Sequence, residues 1–219
     1  MRQSRWARVS TGGILVLLLM CAAGCSSSMY NWEVRTTGTA VASSFDHTPV
    51  SEKPVAIFPA LSGPLLRGAE VAVSYHLAKL LEKMTPNWRV VDEQATLTGI
   101  NTHGLGADYI RMRRDAEDAH LLERETLRKI GAVLGVRYIF QPRMVSYTQT
   151  MTERWKFPGA DLRIVQTRSS NMRISLQLWD ATSGELIWSS VAESVLANEA
   201  VSQDPVFLED AARVTLGSL

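Results

Sequence analysis

From residue 54 onward, apolar positions fall into blocks of changing period. Val55-Ala56-Ile57-Phe58, opened by Pro54 and closed by Pro59, is a continuous apolar run with the length of a buried central strand. Val73, Leu77, Leu80, Leu81 and Met84 then recur at helical spacing, which predicts an amphipathic helix over 69–84 with one buried face, stopped by Thr85-Pro86-Asn87. Trp88-Arg89-Val90-Val91 predicts a second short strand. Asp92 is placed to cap a helix from Glu93 to about Ile100, broken by 101–106.

Residues 108–134 are helical in composition, with Ile110, Met112, Leu122, Leu127, Ile130, Val133 and Leu134 as candidate core positions and a break at 118–120. Gly135 reads as a C-cap and Val136–Phe140 as a third strand. Met172, Ile174, Leu176 and Leu178 alternate with Arg173, Ser175 and Gln177, the pattern of a half-buried strand. The turn Asp180–Gly184 reverses the chain into a second arm, Glu185–Leu196, and makes a hairpin. Asp204-Pro205 predicts the start of a last helix running to Leu216. The order β-α-β-α-α-β-β-β-α implies a single α+β (α/β-like) domain over 54–219, with one mixed sheet packed by helices.

The first 53 residues follow other rules. Arg2, Arg5 and Arg8 precede the apolar run Ile14–Met20, the charged and apolar regions of an export signal. Ile14 to Gly24 is 11 residues, and a transmembrane helix needs about 20. The run ends in Ala22-Ala23-Gly24-Cys25, which resembles the lipobox of bacterial lipoproteins; the usual large aliphatic residue three places before the cysteine is here Ala22. Cys21 follows Leu19-Met20 and lacks the small residues. The resemblance implies that residues 1–24 are removed, Cys21 with them, and that Cys25 becomes an acylated first residue, a palmitate-type lipid anchor. Several acyl chains on one residue hold a protein stably where a single chain holds it only marginally. Ser26 in place of Asp favours the outer membrane, by resemblance to sorting in proteobacterial lipoproteins, with the domain facing the periplasm. Residues 25–53, rich in Ser and Thr, are expected to form a lipidated tether reaching about 30 Å. A strand around 32–34 packed on the domain is the alternative for its middle.

Hydrophobic residues at 46% and charged residues at 21% are ordinary for a globular chain. A net charge of +1 without any basic run argues against nucleic acid. Losing three arginines with the signal takes 23 basic residues to 20 against 22 acidic, about −2. No cysteine follows Cys25, which excludes a disulfide framework and a zinc ribbon. His47, His76, His103 and His120 are isolated and lack ligand spacing. The loop 60–68 lacks a phosphate-loop pattern, and no Gly-x-Ser-x-Gly elbow occurs. No catalytic, cofactor or metal residue and no small-molecule substrate is therefore expected; Cys25 is the one predicted site. The mixed charges of 111–129 predict a solvated face of i,i+4 pairs, with a partner surface as the alternative. Trp179 and Trp188 flank the 180–184 turn, spaced to pair across the hairpin.

Four segments carry a wider resemblance: Val55-Ala56-Ile57-Phe58-Pro59, Trp88–Glu93, Ile130–Ile139 and Leu176–Trp188. Their order and spacing resemble the superfamily of periplasmic lipoproteins that includes the curli secretion channel subunit CsgG, LpoB and the TolB N-terminal domain. The resemblance implies a non-enzymatic adaptor or assembly factor of the cell envelope, with an envelope protein partner or self-association. The alternative it implies is a subunit of an oligomeric CsgG-like secretion channel. A channel needs arms with one apolar face over about 9–11 residues. The extended hairpin 146–171 has Tyr147, Gln149, Met151, Glu153 and Trp155 on one face and Thr148, Thr150, Thr152 and Arg154 on the other. Neither face suits lipid. The segment 195–204 is too short for a second membrane hairpin, so a water-exposed arm is the expectation.

Overall fold

The computed structural model describes residues 29–41, 54–66, 68, 70–156, 163–200 and 206–218. The signal sequence, Cys25, the expected cap at Asp204-Pro205 and the turn 157–161 lie outside the described residues. The elements are β1 (Met29–Val41), β2 (Val55–Ile57), β3 (Leu61–Ser62), α1 (Glu70–Met84), β4 (Val90–Val91), α2 (Glu93–Thr102), α3 (Gly106–Ala119), α4 (Arg124–Leu134), β5 (Tyr138–Lys156), β6 (Arg163–Asp180), β7 (Glu185–Ala200) and α5 (Leu208–Leu216). They form one α+β domain around a mixed sheet ordered β1-β7-β6-β5-β2-β4, with β3 also paired to β5.

Local chemistry sets the helix boundaries. Asp92 caps α2, its carboxylate accepting the Ala95 N–H at 2.8 Å, and Glu123 caps α4 by accepting from Glu125 and Thr126 at 2.8 Å each. Gly135 ends α4 at φ +65°, a conformation that costs a Cβ-bearing residue energy. His120 ends α3 in the same left-handed region, φ 58°. α5 begins at Leu208 rather than at Asp204; Phe207 is its N-cap and makes no side-chain cap bond.

β2 is the switch point of the sheet. It pairs in parallel with β4 on one side (Val55↔Val90) and with β5 on the other (Val55↔Tyr138). The two crossovers lie on opposite faces. Val55, Ile57, Tyr138, Phe140, Ile174 and Leu178 pack on one side with Val73 and Leu77 of α1 and Ala211, Ala212 and Leu216 of α5. Ala56, Phe58, Ile139 and Trp179 pack on the other with Ile100, Met112, Leu127 and Ile130 of α2, α3 and α4. A strand buried on both faces must be apolar at every position, and Val55–Phe58 are all fully buried.

The antiparallel part differs from the expectation in length and extent. β5 and β6 pair continuously from Tyr138↔Asp180 to Lys156↔Arg163, so 146–171 is the far portion of one hairpin, with a bulge between Met144 and Ser146. The expected tether 25–53 contains β1, a 13-residue strand that pairs antiparallel with β7 from Met29↔Glu199 to Val41↔Trp188, with a register shift between Thr37 and Ala40. The sheet therefore begins well before residue 54. The alternative strand at 32–34 lies inside β1; residues 35–40 are Arg, Thr, Gly and Ala, with no large apolar residue to mark how far the strand extends. Trp179 and Trp188 do not pair. A register shift between Leu178 and Trp179 sets Leu178 opposite Trp188 and Trp179 opposite Leu186, and the two rings enter different cores.

One polar lock holds the start of β5 to the end of β6. Asp180, 3% exposed, accepts from Arg137 Nε at 2.8 Å through Oδ2 and from the Thr182 and Ser183 N–H groups at 2.8 and 3.2 Å through Oδ1. The Ala181 N–H donates to the Arg137 carbonyl at 2.7 Å. A Cβ on Gly131 would lie 2.6 Å from the Ala181 Cβ and 3.0 Å from the Val136 carbonyl, so α4 approaches the turn as closely as it does only through this glycine.

Asp180→Ala leaves the Arg137 side chain and two turn N–H groups without their acceptor, and urea denaturation should show a loss of about 2–3 kcal/mol. Gly131→Ala should cost about 1–3 kcal/mol in the same assay, by displacing the turn from α4.

Candidate binding surfaces

Among the described residues, no helix covers one face of the four long strands over their distal half. β6 and β7 alternate in step: Met172, Ile174, Leu176 and their partners Ser194, Ala192 and Ser190 are buried under α5. Ser194 Oγ and Thr215 Oγ1 share a 2.5 Å hydrogen bond, and Thr215 also donates to the Ala211 carbonyl at 2.7 Å, which ties α5 to that face. The intervening residues emerge on the opposite side. There Arg35 of β1 stands across from Glu193 of β7, which stands across from Arg173 of β6. Opposite charges at directly paired positions attract.

Asn171 Nδ2 donates to Glu193 Oε1 at 3.0 Å, and Arg35 Nε donates to Glu33 Oε1 at 2.8 Å. The Glu33 hydrogen bond and charge, then Glu193, hold the Arg35 guanidinium further above its ordinary range. Val195 is 39% exposed beside this ladder. Thr148, Thr150 and Thr152 continue the same face on β5, all exposed, and the Thr150 hydroxyl lies 2.6 Å from that of Ser169. The result is a broad, mixed-charge strand surface.

A second feature lies at the carboxyl end of β2, where the strand order reverses and open α/β sheets bind their ligands. Ser74 of α1 is 1% exposed and accepts from the Ala60 N–H at 2.9 Å. Beside it, burial pushes the Glu93 carboxyl up, while a hydrogen bond with Ser74 and the charge of Arg113 act the other way. Burial pushes the Tyr109 hydroxyl up to about 12 against its hydrogen bond with Arg113. Arg113 also donates to the Ala60 carbonyl at 3.4 Å and to Glu117 at 3.3 Å. Phe58 and Tyr109 rings pack at 5.5 Å. Most of these polar groups tie α1, α2 and α3 to the strand end. The sequence signal for them is Ser74 inside the apolar stripe of α1, a polar residue at a core position.

His47 lies outside the described residues, and the structure does not bring His76, His103 and His120 together. His76 lies edge-on to Tyr75 at 5.3 Å, His103 and His120 end separate helices, and among the described residues no three potential metal ligands cluster. The charged stretch forms pairs along and between helices: Arg111–Asp108 at 2.7 Å, Arg128–Glu125 at 2.9 Å, and Lys129 of α4 to Asp108 of α3 at 3.6 Å. Arg143 of β5 reaches the carbonyls at the end of α3, Ala116 and Glu117, where a cation meets the negative end of the helix dipole.

The fold thus defines a single α+β domain with two helix-covered cores and a strand surface that no helix covers among the described residues. Solved structures with a similar chain path include a PelC dodecamer from Paraburkholderia phytofirmans, 13% identical over 86% of this chain and 94% of that one, TM-score 0.43. Lipoprotein GNA1162 from Neisseria meningitidis is 12% identical over 76% and 96%, TM-score 0.45. The LpoB C-terminal domain from Salmonella enterica is 14% identical over 65% and 82%, TM-score 0.39. No protein-family model and no curated protein matches the chain. Likeness at this level says nothing about partners or activity.

Glu93 supplies a pH test. Its folded pKa is raised, so the folded state holds the proton more tightly than the unfolded chain, and the associated stability is present at low pH and lost as pH rises through the raised value. Glu93→Gln removes this loss while keeping a hydrogen-bonding group beside Ser74. Urea unfolding at about pH 4 and about pH 7 should show the variant gaining on the parent at the higher pH.

Proposed function

We propose that this chain is a lipoprotein, held in the outer membrane by acyl chains on Cys25 and facing the periplasm, that works by binding proteins and not by catalysis. In this reading residues 1–24 are the signal, 25–28 a short link, and the folded domain starts at β1. The uncovered strand surface carries the reading: Arg35, Glu193 and Arg173 in a cross-strand ladder beside exposed Val195 suit a protein partner of mixed charge. The polar groups at the β2 end support it from the other side, since most of them bond to the domain itself. The role that fits is an adaptor or assembly factor for an envelope complex.

Self-association is favoured by one further observation. β1 forms an edge of the sheet in the described residues, and a 13-residue edge offers unpaired backbone groups to another strand. A channel subunit fits less well, because Thr148, Thr150 and Thr152 face outward on one side of the hairpin and Gln149, Glu153 and Arg168 line the other. Among the described residues no helix is long and apolar enough to cross a membrane.

Cys25→Ala should abolish the acylated N-terminal peptide in mass spectra and release the protein from the membrane fraction. With Cys25 intact, a photo-crosslinker at Val195 should trap an envelope protein or a second copy, and one at Tyr75 on the helix side should not. Equal trapping at both positions would remove the basis for the strand surface as the binding site.

A further inference from the structure

β1 is the outermost strand of the described sheet and pairs with β7 on one side only. Its backbone groups on the other side are a template for one more strand. On the helix-covered face Thr36 holds the strand to the domain, donating to the Ser218 carbonyl at 2.8 Å. On the other face Glu33 and Arg35 are exposed, with Val34 between them turned the opposite way. Glu33 stands across from Val195, and Arg35 stands across from Glu193, which faces Arg173 in turn. Charged residues on an edge commonly keep a second strand away. Here the two carry opposite sign, and the sign pattern selects which strand is kept away.

A second copy of β1 can add antiparallel about a two-fold axis normal to the sheet, which leaves the helix-covered faces of both copies on one side. Directly opposite residues share a face, so the axis passes through a residue and not between two. Centred on Glu33 it sets Glu33 against Glu33, and centred on Arg35 it sets Arg35 against Arg35; like charges directly opposite repel. Centred on Val34 it sets Glu33 of each copy against Arg35 of the other, two attractive pairs from one contact. A row then runs Arg173, Glu193, Arg35 and Glu33 of the second copy, alternating in sign across four strands. In the single chain Arg35 Nε donates to Glu33 of its own strand at 2.8 Å. A carboxylate accepts several donors, so the same Glu33 can serve both arginines. Residues 31–37 keep an unbroken register against β7, ahead of the shift between Thr37 and Ala40, and this is the length that the Val34 centre overlaps.

We propose that β1 pairs with β1 of a second copy, antiparallel about Val34, and forms a two-fold dimer with one continuous sheet. The inference rests on the reading of this edge as a self-association site and deepens it by naming the partner and the register. The contact uses the same edge of both copies, so assembly stops at two. The helix-free strand surfaces of the two copies join into one surface of double width. A contact one strand long is a small interface, and the dimer is accordingly reversible.

The test uses the full-length protein in detergent solution, by sedimentation over a concentration series and by oxidation of cysteine variants. The parent should pass reversibly from monomer to dimer. Glu33→Arg, at a position that faces Val195 and no charge, should weaken the dimer about tenfold or more by making two attractive pairs repulsive. Arg35→Glu alone should weaken it likewise. An equimolar mixture of the two variants should dimerise again, because each then meets opposite charge. Val34→Cys should give a disulfide-linked dimer that neither the parent nor Thr36→Cys gives. Val34→Cys keeps both charges, so it decides the register even if Arg35→Glu, set against Glu193, loosens β1. A monomer at every concentration with no Val34→Cys disulfide overturns the proposal. A dimer that Glu33→Arg leaves unchanged, or an assembly larger than two, also overturns it. In either case an envelope protein trapped at Val195 keeps the adaptor reading. A Val34→Cys dimer in protein that traps no envelope protein at Val195 supports the β1 pairing and fails the adaptor reading alone.

Discussion

Arg137 and Asp180 meet where the two halves of the architecture join. Arg137 ends the crossover from α4 into β5, and Asp180 ends β6 as it turns toward β7. Their 2.8 Å bond holds the first rung of the long hairpin, Tyr138↔Asp180. Every later rung depends on that register, because shifting a strand by one residue exchanges its two faces. A slip here would expose Met172, Ile174 and Leu176 and bury Arg173. The lock is polar, yet Asp180 is buried with both oxygens engaged, so little of its desolvation cost is left uncompensated.

From that seam the sheet runs two ways under different rules. Toward β2 and β4 it is parallel and covered on both faces, with helices filling each side. Toward β6, β7 and β1 it is antiparallel and covered by α5 on one face. The first half supplies rigidity and the second half supplies surface. A sheet uncovered on one side must carry residues that tolerate water, and Thr148, Arg173, Glu193 and Arg35 do so while remaining good strand partners. The proposed recognition role falls on the part of the fold that stability does not need to cover.

Much of this was legible along the chain. Val55–Phe58, α1, the break at 118–120, the Gly135 cap and the 180–184 turn all rest on local chemistry: apolar period, capping carboxylates, and backbone angles that glycine adopts. The misses share a different cause. β1 alternates only over Tyr30, Trp32 and Val34, and its full extent shows only in the pairing with β7. Trp179 and Trp188 have the spacing of a cross-strand pair, and a one-residue bulge separates them. Ser74, Glu93 and the i,i+4 pair Tyr109–Arg113 are far apart in sequence from one another, and only the convergence of three helices on the β2 end makes them neighbours.

The sequence by itself determined the fold class and the two-sided burial of β2, since each is written in contiguous residues and their period. Tertiary structure alone decided where, among the described residues, the sheet begins and which of its faces carries no helix. Those depend on strand register between segments more than a hundred residues apart, Met29 with Glu199 and Thr36 with Ala192. Such pairing is set by backbone groups common to every residue, and so it leaves little trace in residue type.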